Sequence, residues 1–517
     1  MTAIDTSPAD VGSTRVADAA VPSLGRPHVG IGIGLATLSG LLAIASFEDV
    51  HIDGLIWFAF VPAIVAQHRW LPRRWSGLGL GIAVGLMYQG YLGPGLSNAD
   101  LAWYLYVYGL WIGLFVALLS ARSRRFHART GYRWFVLTAP VAWVALDFVR
   151  TGLTEVAAGS WGMVAYALYD RPALLQPVSI TGIHGLNLLI LVVNWAIALV
   201  VLWALDGRYG PPEDRPAIGR DLVMKAGGAV LLAVVAWIGA SLVMLSMEPD
   251  APTVRVAAVQ PDPYTPDRDA DISEEQELAR NLEQSGHAAA LGAELIVWHE
   301  AGLRFDPRTE DGAQIAAFAD EHDVHLAVGW QVPTEGGRRF NEVATFDPDG
   351  EVLGSYGKSH PGEFAGDYSD RQGEYIVYDT QWGSFGSIIC FDLDFLDSAR
   401  RVASLGANVL AVSSNDVLGI TEKHYTHLVF RAIETRQAAV KADSSFDSAV
   451  IDPYGRILAV HADKRTSRAT LVTDVPVGSG DSFYVRYGDW FGWLAVAGTG
   501  LLVMGSAVVR LRSRRSS

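Results

Sequence analysis

The sequence predicts a polytopic α-helical membrane domain of about eight spans joined to a water-soluble α/β domain. Half of the 517 residues are hydrophobic and only 18% are charged, which is unusual for a soluble enzyme. The formal net charge of −15 is also unevenly distributed, because residues 251–487 contain 38 acidic and 20 basic side chains. An acidic block is therefore enclosed by apolar segments.

Seven apolar segments precede the acidic block and an eighth follows it. A helix needs about 20 apolar residues to cross a bilayer, and most of these segments approach that length. The predicted spans are 29–46, 54–66, 77–96, 101–121, 134–148, 178–205, 224–247 and 490–509. The second is short, so a re-entrant segment is the alternative there.

The arginines predict the orientation of these spans. They concentrate in the loops after the second, fourth and sixth spans and in the C-terminal tail, and such loops face the cytoplasm. The domains expected are a mobile N-terminal tail (1–27), a seven-span domain (28–248), an extracytoplasmic catalytic domain (251–487), a C-terminal transmembrane helix (488–510) and a basic cytoplasmic tail (511–517). Ala43-Ile44-Ala45 resembles a signal cleavage site, but the long acidic segment before it favours an uncleaved first span.

Two properties exclude whole classes of function. An acidic chain lacks the basic face that nucleic-acid binding needs, so we expect no nucleic-acid partner. Cys390 is the one cysteine, which rules out an intramolecular disulfide and a cysteine-rich metal cluster. The aromatic residues Trp161, Tyr166 and Tyr169 lie in an external connection between two spans and suit the lipid-headgroup zone, in either an ordered interfacial loop or a substrate-contacting one.

The acidic block alternates strand and helix patterns, which favours layered α/β structure. Strands are predicted at 254–260, 294–298, 325–330, 384–390 and 407–413, and helices at 274–291, 311–321, 394–405 and 421–438. Asp-Pro turns within 346–350 and 451–455 predict hairpins.

Three reactive side chains follow predicted strands: Glu300, Lys358 and Cys390. A thiolate is a nucleophile, a carboxylate can take its proton, and an ammonium can stabilise the resulting oxyanion. Taken singly, each has an ordinary alternative, because a lone cysteine is usually a small buried hydrophobe and Lys and Glu are usually solvated.

The motifs around these residues resemble those of a known superfamily. Trp298-His299-Glu300, Tyr356-Gly357-Lys358 and Ile389-Cys390-Phe391-Asp392 resemble the Glu–Lys–Cys signature of the nitrilase, or carbon-nitrogen hydrolase, superfamily. A block of this kind between seven spans and one span is similar to the apolipoprotein N-acyltransferase family, as is the run from Leu174 through Gln176-Pro177 to Leu188. The resemblance extends over roughly residues 29–510.

This resemblance implies a nitrilase-like four-layer α-β-β-α sandwich and a specific chemistry. Cys390 would attack an acyl ester of a phospholipid to form a thioester, and the α-amine of an S-diacylglyceryl cysteine at a lipoprotein N-terminus would then take the acyl chain. Glu300 would be the general base and acid, Lys358 the oxyanion stabiliser, and Glu363 and Asp392 supporting or substrate-binding acids. The expected protein is a multi-pass monomer of the cytoplasmic membrane, with no cofactor and no metal.

The sequence departs from the family pattern around the presumed site. His299 replaces a proline, Phe391-Asp392 replace Tyr-Glu, and Val417-Leu418 replace an aromatic pair. In the family, the segment from the lysine to the second glutamate is longer than Lys358–Glu363 and contains Pro-Phe-Gly-Glu. These positions concern the acceptor and the donor lipid more than the thioester step.

Two other functions compete with acyl transfer. A membrane-tethered amidase or nitrilase would use the same thioester and water as the second nucleophile. A transporter or sensor with an inactive external domain would need ionisable residues within the spans, and the predicted spans contain very few.

Overall fold

The computed structural model describes residues 28–98, 107–153, 159–261, 273–334, 336–361, 366–416, 419–420, 423–444, 447–461 and 468–515. The predicted N-terminal tail, 1–27, lies outside these residues. The helices before the acidic block are α1 (Val29–Ser46), α2 (Val61–Val65), α3 (Leu78–Asn98), α4 (Tyr108–Ser120), α5 (Ser123–Thr130), α6 (Phe135–Leu153), α7 (Pro172–Leu175), α8 (Val178–Thr181), α9 (Ile183–Tyr209) and α10 (Arg220–Ser246).

Several of these helices have the length and composition of membrane spans. Among the described residues, the helices long and apolar enough to cross a bilayer are Val29–Ser46, Phe135–Gly152, Ile183–Tyr209 and Arg220–Ser246, with a shorter apolar helix at Trp490–Gly505. Large apolar side chains of α10 point away from the protein, including Met224, Leu231 and Leu232. Such an exposed apolar face is typical of contact with lipid.

The second predicted span is not one continuous helix. A 3₁₀ turn at Asp53–Trp57 is followed by α2, whose first turn contains Pro62, and by a π-helical turn at Ala66–Trp70. Asn194 of α9 bonds the broken backbone at two points, since it accepts from Phe60 N at 2.9 Å and donates to Ile56 O at 2.9 Å. Irregular backbone is stable in an apolar bundle only when its polar groups are satisfied in this way.

Ion pairs hold both ends of the same segment. Asp53 pairs with Arg171, and Arg69 pairs with Asp206 near the C-terminal end of α9. Sequence periodicity could not reveal the broken form of this segment.

Other predicted spans shift at their ends. The sixth was predicted from residue 178, but Gly182 has a left-handed φ of 62° and separates α8 from the long helix α9. Residues 99–106, at the start of the predicted fourth span, lie outside the described residues.

Helices α3 and α4 pack unusually closely. A Cβ on Gly85 would lie 2.8 Å from Gly109 O, and one on Gly113 would lie 2.7 Å from Gly81 O. Gly81 and Gly85 are four residues apart in α3, and Gly109 and Gly113 are four residues apart in α4. This spacing of small residues allows helices to approach each other closely in membranes.

Among its described residues, the acidic block contains thirteen strands in two sheets. They are β1 (Thr253–Gln260), β2 (Leu295–Trp298), β3 (His325–Pro333), β4 (Arg339–Phe346), β5 (Val352–Gly357), β6 (Asp367–Tyr368), β7 (Val377–Thr380), β8 (Gly383–Ile389), β9 (Val409–Ser414), β10 (Ala438–Asp443), β11 (Ser448–Ile451), β12 (Ile457–His461) and β13 (Ala469–Pro476). One sheet has the order β13-β1-β2-β3-β4-β5, with β6 beside β4, and the other has the order β12-β11-β10-β9-β8-β7.

The sheets pack face to face with helices outside them. The helices of this block are α11 (Glu274–Ala290), α12 (Ala313–His322), α13 (Leu396–Ser404), α14 (His424–Thr435) and α15 (Phe483–Tyr487), and α16 (Trp490–Arg515) follows them. Helices α11 and α12 cover the first sheet, α13 and α14 cover the second, and β1 and β2 contact β9 and β10. The four-layer α-β-β-α sandwich implied by the resemblance is confirmed.

Most elements of the block were predicted from the sequence, but one helix was extended too far. The prediction of a helix over 421–438 is wrong at its C-terminal end, because Arg436 has a left-handed φ of 55° and Ala438 begins β10. A residue in this conformation ends a helix by capping its last carbonyl groups.

Helix α14 joins the acidic block to the helical bundle. Glu434 accepts a hydrogen bond from Ile183 N at 2.8 Å, which caps the start of α9. Arg436 donates to Gln176 Oε1 at 2.7 Å, and Lys423 donates to Tyr91 O at 3.0 Å. These buried contacts dock the second sheet and its helices directly onto the bundle.

Candidate active site

The three predicted catalytic residues follow the ends of three strands. Glu300 comes after β2, Lys358 directly follows β5, and Cys390 directly follows β8. Strand β2 runs parallel to β3, and β8 runs parallel to β9, so each sheet presents a carboxyl edge. Side chains from such edges converge where two sheets are aligned.

Hydrogen bonds between the sheets hold these edges together. Ser413 Oγ donates to Trp298 O at 2.7 Å, and Glu300 N donates to Ser414 O at 3.2 Å. The end of β2 in one sheet is thereby tied to the end of β9 in the other. This positions Glu300 beside the strand that neighbours β8 and Cys390.

Glu300 and Lys358 form a buried ion pair. Lys358 Nζ donates to Glu300 Oε1 at 2.8 Å, and Asn341 Nδ2 donates to the same oxygen at 2.6 Å. The side chains of Glu300 and Lys358 are 8% and 5% exposed, so solvent screens this pair little. The neutral amide of Asn341 therefore helps to orient the ion pair.

A carboxylate that the sequence analysis did not single out completes the environment of Lys358. Asp367 Oδ2 accepts from Lys358 Nζ at 2.8 Å, and Gln331 Nε2 donates to Asp367 Oδ1 at 3.1 Å. Burial alone would lower the pKa of Lys358, but Glu300 and Asp367 outweigh it and hold that pKa well above its usual value. Lys358 is therefore a fixed positive charge.

Cys390 lies in a strained turn. Its φ of 42° is left-handed, which a non-glycine residue adopts at a cost of about 1–3 kcal/mol. The turn is held by Asp392, which accepts from Ile389 N at 3.0 Å and from Tyr356 OH at 2.8 Å. The backbone conformation directs the thiol out of the sheet plane at the edge where the strands end.

The Cys390 thiol has a carboxylate neighbour of its own. Its Sγ donates to Asp416 Oδ1 at 3.4 Å. Burial raises the pKa of Cys390 well above its usual value, Glu300 and Asp416 raise it further, and Lys358 lowers it. All three predicted catalytic residues are thus close enough to interact electrostatically.

Two known protein families match the two parts of this chain. Residues 255–483 match the carbon-nitrogen hydrolase family, and residues 39–196 match the N-terminal domain of apolipoprotein N-acyltransferase. In both parts, and in their order along the chain, this protein is similar to the apolipoprotein N-acyltransferases.

Relatives of nearly full length bear the family's name. An apolipoprotein N-acyltransferase of Geobacter metallireducens is 28% identical over 93% of this chain and 95% of its own length. One from Thermotoga maritima is 24% identical over 94% of this chain and 95% of its own length. The chain is therefore an enzyme of the N-acyltransferase and nitrilase group and a membrane protein.

Two solved structures are similar to about half of the chain. An amidase of Nesterenkonia sp. is 20% identical and covers 46% of this chain and 94% of its own, with a TM-score of 0.38. Nit3 of Saccharomyces cerevisiae is 18% identical and covers 46% of this chain and 96% of its own, with the same TM-score of 0.38.

The apolipoprotein N-acyltransferase resemblance predicted a glutamate after the lysine, and Glu363 was the candidate. Glu363 lies outside the described residues, whereas Asp367 makes a direct contact with Lys358. The sequence contained a signal for this, because Gly366-Asp367 resembles the end of the Pro-Phe-Gly-Glu run at the longer spacing that is usual in the family.

Asp392 is buried beside the turn at Cys390 and is bound by the backbone of that turn. Besides Ile389 N and Tyr356 OH, its carboxylate accepts from His360 N at 2.7 Å and lies 3.1 Å from His360 Nδ1. Both oxygens are engaged and the residue is fully buried. Its contacts tie the turn at Cys390 to the segment after Lys358, which favours the supporting role over direct substrate binding.

The other positions at which the sequence departs from the family pattern are only partly among the described residues. His299 is buried and its Nδ1 donates to Glu300 O at 2.8 Å, while Phe391 lies edge-on to Phe395. Val417 and Leu418 lie outside the described residues. His299 therefore braces the backbone at Glu300, where the family has proline.

The helical bundle supplies one wall behind the site. Trp161 packs 4.3 Å from the ring of His427, and Tyr166 stacks on the same ring at 3.9 Å. Both aromatic residues are buried against protein and so do not contact lipid headgroups, whereas contact of this segment with substrate stays a prediction. Their partner is α14 of the catalytic domain.

A large apolar cavity lies within the bundle. It has a volume of about 800 Å³ and opens between α3, α4, α6 and α16. Tyr88 and Arg150 line it, and both also contact the segment that begins at Gly159. That segment touches the catalytic domain, because Ser160 N donates to Asp394 O at 2.9 Å.

Proposed function

We propose that this protein transfers an acyl chain from a membrane phospholipid to the N-terminal S-diacylglyceryl cysteine of lipoproteins, through a thioester on Cys390. One observation carries the proposal: a thiol, a carboxylate and an ammonium converge at the strand ends of a sandwich that is docked onto an apolar helical bundle. The thiol supplies the acyl carrier, and the bundle supplies contact with lipid.

In the first half-reaction, Glu300 accepts the proton of the Cys390 thiol as sulfur attacks the ester carbonyl carbon. The carbonyl oxygen becomes an oxyanion, which the fixed charge of Lys358 stabilises. Glu300 then returns the proton to the leaving alkoxide, the ester C–O bond breaks, and the lysophospholipid departs. The acyl chain is left on sulfur.

In the second half-reaction, the neutral α-amine of the lipoprotein attacks the thioester carbonyl. Lys358 again stabilises the oxyanion, and Glu300 takes a proton from the nitrogen. The C–S bond breaks, the amide forms, and the proton returns to sulfur. Asp367 is the positioning residue of this scheme, because it binds Lys358 Nζ together with Glu300.

The cavity of the bundle supports a lipid substrate. A pocket of about 300–1,000 Å³ is the usual size for an organic ligand, and most of the side chains that line this one are apolar. Its inner end adjoins the segment that touches Asp394 of the catalytic domain. An acyl chain can thus lie in the bundle while its ester end approaches the sandwich.

The arginine distribution supports the orientation. Arg69, Arg124 and Arg215 cluster at the end of the bundle away from the sandwich, as the positive-inside rule expects for the cytoplasmic side. We therefore place the catalytic domain on the extracytoplasmic side of a multi-pass protein of the cytoplasmic membrane. A monomer suffices for the reaction, because every group in the scheme comes from one chain.

The deciding experiment loads the purified full-length enzyme with phospholipid in nanodiscs and measures its intact mass. An acyl adduct should form in the wild type and be absent in Cys390→Ala. A diacylglyceryl-cysteine peptide added to the loaded enzyme should then remove the adduct and gain its mass.

Two outcomes contradict the proposal. An adduct that disappears rapidly in buffer without acylating the peptide would instead identify a tethered hydrolase. Wild-type peptide acylation by Cys390→Ala would exclude the thioester.

Reporter fusions after Met247 and after Leu511 test the orientation, and they should report opposite sides of the membrane.

A further inference from the structure

A second group of charged side chains lies beside Cys390 and does not contact Lys358 through any hydrogen bond or ion pair described above. Its centre is Asp416, which follows β9 and is almost fully buried. Asp416 accepts from Cys390 Sγ at 3.4 Å, from His424 Nδ1 at 2.9 Å and from Lys441 Nζ at 2.8 Å. The scheme above assigns no role to this carboxylate.

Two cations keep Asp416 ionised. Burial alone would raise the pKa of Asp416, but His424 and Lys441 outweigh it and hold that pKa well below its usual value. His424 is itself held by Asp394, whose Oδ1 lies 3.2 Å from His424 Nε2. Asp416 is therefore a strong hydrogen-bond acceptor but a poor proton acceptor.

The contact with sulfur favours the thiol over the thiolate. A carboxylate next to an S–H group accepts its hydrogen bond, whereas the same carboxylate repels the negative charge of a thiolate. The hydrogen bond of the Cys390 thiol goes to Asp416, while Glu300 is bound through Oε1 to Lys358 and Asn341. The sulfur must leave Asp416 before its proton can pass to Glu300.

We propose that Asp416 is a positioning residue that holds Cys390 as a protonated, unreactive thiol until the acyl donor enters the site. The proposal builds on the thioester chemistry proposed above and adds a resting state to it. Attack then proceeds as described: the S–H proton passes to Glu300, the S–C bond forms, and the ester C–O bond breaks. Asp416 keeps its charge and its bonds to His424 and Lys441 throughout.

Other charged groups surround the thiol, and the proposal must hold against their combined effect. Those on the adjoining elements are Glu300, Lys358, Asp367, His360, Asp392, Asp394, His424, His427, Lys441, Asp443 and Asp447. Asp416 alone among these described groups accepts the hydrogen bond of the thiol. Asp443 provides a matched comparison, because it also contacts Lys441, at 3.2 Å, and is equally buried.

The test uses the alkylation of Cys390 by iodoacetamide, which reports on the thiolate alone because the chain has one cysteine. The full-length enzyme in detergent micelles free of phospholipid is alkylated over a series of pH values, so that no acyl donor enters the site or acylates Cys390. In Asp416→Asn, the midpoint of the pH profile should fall, and the rate at pH 7 should rise about tenfold for each pH unit of that shift. In Asp443→Asn, the midpoint should stay at the wild-type value.

Equal midpoints for the wild type and Asp416→Asn would overturn the proposal, and so would an equal shift in Asp443→Asn. If Asp416→Asn does not fold, the infrared S–H stretch of the wild type decides. A band at lower frequency than that of a free thiol at neutral pH supports the proposal, and a free-thiol band or no band overturns it. Peptide acylation measured in parallel distinguishes this failure from a failure of the proposed function, since alkylation requires no acyl transfer.

Discussion

Two buried lysines lie near Cys390, Lys358 directly after β5 of one sheet and Lys441 within β10 of the other, and each contacts carboxylates. Lys358 contacts Glu300 and Asp367 at 2.8 Å each, and Lys441 contacts Asp416 at 2.8 Å and Asp443 at 3.2 Å. The ions are the same in kind and the burial is similar. What differs is the group that faces the sulfur.

In the first cluster the lysine acts on Cys390, and it lowers the pKa of the thiol. In the second cluster the carboxylate of Asp416 faces the thiol, and Lys441 stands behind it. The sulfur is near the cation of one ion pair and the carboxylate of the other. The two pairs therefore have opposite effects on the stability of the thiolate. We infer that the first cluster serves transition-state stabilisation and that the second serves the resting state and the stability of the fold.

The largest effect should come from Lys358→Met. Removing an oxyanion donor lowers the rate by about 10²–10³-fold in other enzymes, and we expect the upper end for a charged, buried donor. The measurement is the rate of acyl-enzyme formation by intact mass, normalised to folded protein. A rate within threefold of the wild type would show that Lys358 does not stabilise the oxyanion.

A smaller loss should follow Asp367→Asn. Misplacing Lys358 by a fraction of an ångström should slow acyl-enzyme formation by about 10²-fold, since catalytic geometry is that sensitive to position. The competing assignment gives this role to Glu363. If Glu363→Gln slows the reaction more than Asp367→Asn does, then Glu363 rather than Asp367 is the partner of Lys358.

Lys441→Met should act on stability rather than on chemistry. It leaves Asp416, Asp443 and Asp447 buried without their shared cation, and such a break costs about 3 kcal/mol or more. Arg401→Gln is the control, because Arg401 pairs with Asp397 on an exposed helix surface, where a pair contributes at most ~1 kcal/mol. Unfolding midpoints in nanodiscs should show a large loss for the first variant and almost none for the second.

The smallest effect should be a pH dependence from His424. Burial alone would lower its pKa, but Asp416 and Asp394 raise the pKa of His424 from 6.5 to about 10. Because the folded pKa is the higher one, this stabilisation is complete below pH 6.5 and is lost as the pH rises through about 10. Unfolding free energies should therefore decline over that window in the wild type and decline less in His424→Gln. Equal slopes would contradict the assignment.

Much of the site could be predicted from residue order. Glu300, Lys358 and Cys390 each follow a strand pattern, and their motifs resemble those of a superfamily. Asp367 was missed because Glu363, the nearer acid after Lys358, was taken as the match, and the contact of Asp367 with Lys358 is visible only after β5 and β6 are placed beside β4. Asp416 had no signal of this kind, since an Asn-Asp pair after a strand is also an ordinary turn.

The sequence by itself determined the two-part architecture, the alternation of strands and helices, and the catalytic candidates, because these depend on local hydropathy, periodicity and motif. Only the tertiary structure decided the broken helix at α2, which exists because Asn194 of a distant helix satisfies its backbone. It likewise decided that Trp161 faces His427 and that Asp416 faces Cys390. These are contacts between residues far apart in the chain, and their energies depend on burial and distance, which local sequence does not contain.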